Sequence, residues 1–171
     1  MTEKIINKID KSGLITIDLN SFAPAQEIIT LDINDFLYNK TLKEKIFREK
    51  LQKYNWLNCQ NKIICIFSSV DTIIPMWAYM LIVANLKNIT DQVFFGEKLN
   101  VINDIIIKNI NSIKNENYKN KKVLIKGCGN SNITESSYIA ITKKLQNVVS
   151  SLMFGEACSS VPVLKNKKYD E

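Results

Sequence analysis

The chain has 171 residues and no histidine. That absence removes Ser-His-Asp and Cys-His nucleophilic catalysis, imidazole-ligated metals and the usual proton shuttle near neutral pH. Any chemistry falls to Cys, Asp, Glu, Lys, Tyr, Ser or backbone groups. Arginine is nearly absent as well, with Arg48 standing alone. Base reading leans on the planar arginine fork, so the formal charge of +6 does not point to a nucleic-acid partner. A simpler source is composition: 22 Lys, 26 Ile and 20 Asn all have AT-rich codons. Long hydrophobic runs are missing too. The longest, Ile73 to Ala84, is too short to span a bilayer and carries Pro75 near its start. The opening MTEKIINKIDKSG has no apolar stretch of signal-peptide length. A soluble cytoplasmic protein with no membrane partner is expected. Its four cysteines, Cys59, Cys65, Cys128 and Cys158, are then reduced, and no disulfide framework is expected.

What is present is a chain with 46% hydrophobic residues, enough for one domain spanning 1–171. An internal repeat organises it. Residues 62–97 and 121–156 align without a gap at a constant offset of 59. Shared positions include Tyr79/Tyr138, Leu86/Leu145 and the ending Phe95-Gly96-Glu97/Phe154-Gly155-Glu156. In each copy a short apolar run, 63–67 or 122–126, reads as a buried strand. A polar turn follows, with the aligned cap formers Asp71/Asn130 and Thr72/Ser131. A helix over 74–88 or 133–147 leads to a second strand, 92–95 or 151–154. Strand, helix, strand is a crossover unit with parallel strands. Between the copies, Leu99, Ile102, Ile106, Ile110 and Ile113 mark one helical face.

The fold class is therefore α/β, an open and mostly parallel sheet with helices on its faces, built on this duplication. The duplicated core covers 62–162. A pseudo-twofold arrangement of its four strands gives the order 2-1-3-4. The segment 12–60 offers strands in LITIDL (14–19) and EIITLDI (27–33), with Pro24 in the turn between them, then a helix near 41–54. It is expected to cover the helix of the first copy, which is apolar nearly all round, a second copy of the protein being the alternative cover. Residues 165–171 are expected to form a frayed tail.

Ligands of open parallel sheets bind beyond the carboxyl ends of the strands. The turns SSVD (68–71), GEK (96–98), GCGNSN (127–132) and GEACSS (155–160) are expected on that rim. They bring Ser68, Ser69, Asp71, Glu97, Gly127, Cys128, Gly129, Asn130, Glu156 and Cys158 together. A thiol at a helix start is acidified by backbone amides and the helix dipole, and flanking glycines admit a ligand. Cys128 and Cys158 are thus candidate reactive thiols. With Glu156 they are also candidate ligands for iron or zinc. The alternative is that both cysteines only fill space. The GCGNSNIT turn also suits a small anion, although it matches neither the P-loop nor the dinucleotide fingerprint. Cys65 is expected in the core, and Cys59 has no evident partner.

SGLITIDL, VDTIIPMWAYML, KGCGN and FGEACSSVP together resemble the bacterial protein family catalogued as domain of unknown function 2480, over about residues 12–165. The resemblance implies no established activity. Members tend to be encoded near iron–sulfur cluster assembly components, which implies a thiol role for Cys128 and Cys158 and assembly proteins as partners. An accessory factor in thiol, sulfur or metal chemistry is expected. The alternatives are a non-catalytic dimeric scaffold, with the helix 74–86 at its interface, and a small-anion-binding module.

Overall fold

The computed structural model describes residues 13–127, 132–156 and 158–166. In chain order its elements are β1 (Leu14–Asp18), β2 (Ile28–Asp32), α1 (Glu44–Lys53), β3 (Ile63–Phe67), α2 (Met76–Asn85) and β4 (Val93–Phe95). They are followed by α3 (Lys98–Asn111), β5 (Lys122–Lys126), α4 (Glu135–Leu145), β6 (Ser151–Phe154) and β7 (Val161–Lys165). The class is α/β and the strands are mostly parallel, as expected.

The chain divides into two compact units. Residues 25–101 form one; 1–24 and 102–171 form the other, so the first is inserted in the second along the sequence. Each unit has its own sheet. The inserted unit has the order β2-β3-β4, and the split unit β1-β5-β6-β7. This corrects the expected order 2-1-3-4, which paired the first strands of the two copies with each other. Those strands, β3 and β5, instead take an N-terminal strand each: β2 pairs with β3 and β1 with β5, both parallel over five residues. The segment 12–60 therefore does more than cover a helix. It completes both sheets.

The duplication is visible in the geometry of each unit. The amide of Gly96 donates to the carbonyl of Ile66 at 2.9 Å, and that of Gly155 to the aligned Ile125 at 3.0 Å. Both glycines have positive φ, 132° and 114°, where a side chain is strained. Tyr79 meets Phe95 edge-on at 5.6 Å, and Tyr138 meets Phe154 in the same way at 5.6 Å. The repeated Tyr and Phe-Gly-Glu thus encode one ring contact and one glycine-closed strand end, made twice.

β3 is an apolar run because both of its faces are covered, with Ile63 to Ile66 all buried. Its unit packs Leu31, Ile33, Phe36, Phe47, Leu51, Ile64, Ala78, Ile82 and Leu86 into one cluster. Cys59 and Cys65 are both fully buried. Burial pushes both thiols up, opposed by the charges of Lys62 and Lys98 respectively. They stay protonated and behave as small apolar side chains.

α2 starts at Met76, two residues later than expected, because the residue before Pro75 is steered out of the helical region. Neither Asp71 nor Thr72 caps it; Pro75 holds the cap position without a side-chain bond. Asn130 and Ser131, the matching cap candidates, lie outside the described residues. Strand β7 was not expected. It runs antiparallel to β6, with a register shift between Leu152 and Met153, and carries Pro162 on its edge.

Candidate functional site

With two sheets there are two carboxyl rims. Ser68, Ser69, Asp71 and Glu97 follow strands of the inserted unit, and Gly127, Glu156 and Cys158 follow strands of the split unit. Cys128, Gly129 and Asn130 lie outside the described residues.

At the rim of the inserted unit the organising residue is Asp32, at the end of β2. Its carboxylate accepts from the amide of Asn34 at 3.0 Å and from the amide of Ser69 at 3.1 Å. Ser68 turns inward and donates to the carbonyl of Val70 at 2.9 Å. Asp71 and Glu97 are exposed. Burial acts to raise the Asp32 pKa, but hydrogen bonds from the Ser69 side chain and from the Asn34 and Ser69 amides outweigh it and leave the pKa lowered. A lowered carboxylate stabilises the fold fully above the ordinary aspartate value of about 4, and that contribution is lost as pH falls through the folded-state value. Asp32→Ala is expected to cost about 1 kcal/mol at neutral pH. It should also lose less stability than the native protein on acidification, measured by urea titration over a pH series.

At the rim of the split unit, Asp18 repeats the Asp32 motif. Its carboxylate accepts from the amide of Asn20 at 2.9 Å and opens the same kind of short 3-10 turn. Lys126, at the end of β5, pairs with Glu156. Its pKa is raised: the Glu156 hydrogen bond comes first, burial opposes it, and the charges of Glu156, Asp18 and Cys158 add to it. Cys158 is free and exposed. It stands just before Ser159, whose amide donates to the carbonyl of Glu156 at 3.0 Å.

Gly127 has a packing role. A Cβ there would meet the hydroxyl of Tyr138 at 2.8 Å and the Cβ of Leu19 at 3.2 Å. The glycine admits protein side chains where a ligand was expected. Among the described residues, no three His, Cys, Asp or Glu side chains group as a metal site. Of the candidate metal ligands, Glu156 already holds an ammonium, whose charge opposes a cation beside it.

A different surface stands out. The inner face of α2 is buried at Ala78, Ile82 and Leu86. On its flank Trp77 packs edge-on against Phe47 at 5.8 Å, with the Arg48 guanidinium 5.7 Å from its ring. Helix α1 is thus the cover expected from residues 12–60, but it covers only that side. The outer stripe is open: Ile73 is 92% exposed, Met76 73%, Met80 70% and Val83 47%. The aligned positions before and along α4 are Asn132, Glu135, Ile139 and Thr142, with Lys143 for Ala84. One copy of the helix is therefore mostly polar where the other is apolar. The sequence showed the all-round apolar character of this helix; it did not show which side stays uncovered.

No helix among the described residues is long and apolar enough to cross a membrane. No curated protein and no solved structure matches the chain. A family model does match, over residues 3–166, with Tyr79, Tyr138, both Phe-Gly-Glu endings and the α2 stripe inside the matched span; the chain belongs to the family described as Protein of unknown function (DUF2480).

Proposed function

We propose that this is a non-catalytic interaction protein, acting in the cytoplasm, that docks through the outer face of α2. The observation that carries it is the contrast between the two copies of one helix. An exposed apolar stripe costs solubility, and contiguous ones mark docking surfaces. The same position in the same fold is met with polar residues in α4. The protein thus has a polar solution to this helix face and does not use it in α2.

Cys158 supports a second reading. An exposed thiol grouped with Lys126, Glu156 and Asp18 suits thiol or sulfur handling beside iron–sulfur cluster assembly. Cys128, two residues beyond Lys126 in the chain, joins it on sequence alone.

One complementation experiment separates the two. Met80→Lys leaves the fold intact, because the side chain is exposed and both residues are good helix formers. It is expected to fail to complement a deletion strain, while Cys158→Ser complements fully. The reverse pattern would refute docking and support the thiol role.

A further inference from the structure

We infer that the occupant of the α2 face is a second copy of this chain, packed antiparallel about a twofold axis near Met80. This rests on the docking role proposed above and names its partner. An isologous contact needs a patch complementary to itself, and two features of this patch meet that demand.

The first is charge. Residues 72–86 carry no charged side chain. Asp71 lies just before this stretch and Lys87 just after it, and both are exposed. An antiparallel second copy sets Asp71 against the partner's Lys87 at both ends. A parallel copy would set like charge on like charge, which disfavours it.

The second is shape. Ile73, 92% exposed, projects at one end of the stripe. At the other end lies an open hollow of about 800 Å³, lined by Val83, Ala84, Lys87, Asn88 and Ile89 among others. Within α2, helical rise puts Met76 about 6 Å and Val83 about 4.5 Å to either side of Met80 along the axis. The twofold operation that pairs the charges exchanges the two ends of the stripe, so it also brings the partner's Ile73 to the end that carries the hollow. Met76 and Val83 face each other in the same register. Met80 sits on the axis, where an unbranched, adaptable side chain meets its own copy most easily.

The test is sedimentation equilibrium of the purified full chain, with thermal melts to confirm that each variant is folded. The native protein is expected at twice the chain mass of 19.6 kDa at high concentration. Met80→Lys places two ammonium groups on the axis and should raise the dissociation constant at least about tenfold. Asp71→Lys and Lys87→Asp should each weaken the dimer about threefold or more, and the double exchange should restore it. A native protein at single-chain mass throughout the concentration range overturns the inference, as does a double exchange that is no better than either single one. If the chain is monomeric and Met80→Lys still fails to complement, a different protein occupies the face and the docking role stands. If the chain is monomeric and Met80→Lys complements, both fall.

Discussion

Phe47→Ala should lower the stability of the inserted unit by about 3–5 kcal/mol. Phe47 lies on α1 and is fully buried. Its ring meets Phe36 at 6.0 Å and Trp77 at 5.8 Å, both edge-on, so it links the turn after β2 to the flank of α2. Truncation loses the transfer energy of the ring, leaves a cavity among rigid aromatics and forfeits two edge contacts worth about 0.5–1.5 kcal/mol each. Whole domains are stable by only about 5–15 kcal/mol, so the loss is a large share. Both tryptophans, Trp56 and Trp77, belong to the same packed cluster. Tryptophan fluorescence in a urea titration therefore reports this unit directly. Phe47→Leu keeps most of the volume and should cost about half as much or less. A loss below about 1 kcal/mol for the alanine variant would contradict the packing described.

Gly127→Ala should destabilise the split unit by about 2–4 kcal/mol, from backbone strain and overpacking together. The residue has φ +155°, and a Cβ would sit 2.8 Å from the Tyr138 hydroxyl oxygen and 3.2 Å from Leu19. Leu19 is fully buried and cannot yield cheaply. The aligned residue of the inserted unit is Ser68, so the demand for glycine is particular to the split unit. Removing the hydroxyl should recover part of the loss: Gly127→Ala combined with Tyr138→Phe should be less damaging than the sum of the two changes. Far-UV circular dichroism follows this unit, which has no tryptophan. Additive effects would mean that the hydroxyl is not the obstacle.

Much of the fold was legible in the chain, because parallel crossover units write themselves locally. β3, β5 and β6 fall on the expected residues, since a strand covered on both faces is a continuous apolar run. The pairing of sheets was not legible. LITIDLNSF at 14–22 and IITLDINDF at 28–36 share Ile15/Ile29, Thr16/Thr30, Asp18/Asp32, Asn20/Asn34 and Phe22/Phe36. That second repeat runs at an offset of 14, against 59 for the core, so the two copies interleave in the chain and no single alignment shows them. Matching the two offsets would have identified β1 and β2 as equivalent strands, with Asp18 and Asp32 as equivalent rim residues. β7 was hidden by Pro162 and by the lysines that follow it, both ordinary marks of an edge or a tail.

The candidate site was legible in kind and not in place. Counting distant polar residues onto one rim assumed a single sheet, and two sheets divide them. The docking surface proposed above was signalled by a negative feature, the lack of polar residues on one helix. Sequence alone registers that lack without saying which side of the helix the core takes. Ala78, Ile82 and Leu86 take the core side, which leaves Ile73, Met76, Met80 and Val83 outward.

The most direct test of this account is whether the outer face of α2 is covered in solution. The chain has four methionines, two of them on this face. Methyl-labelled methionine NMR with a soluble paramagnetic agent reads each of them separately. The Met76 and Met80 methyl signals are predicted to be shielded in concentrated native protein and to become accessible on dilution and, for Met76, in Met80→Lys. Signals bleached as readily as free methionine at the highest concentration would show an uncovered face and contradict the account.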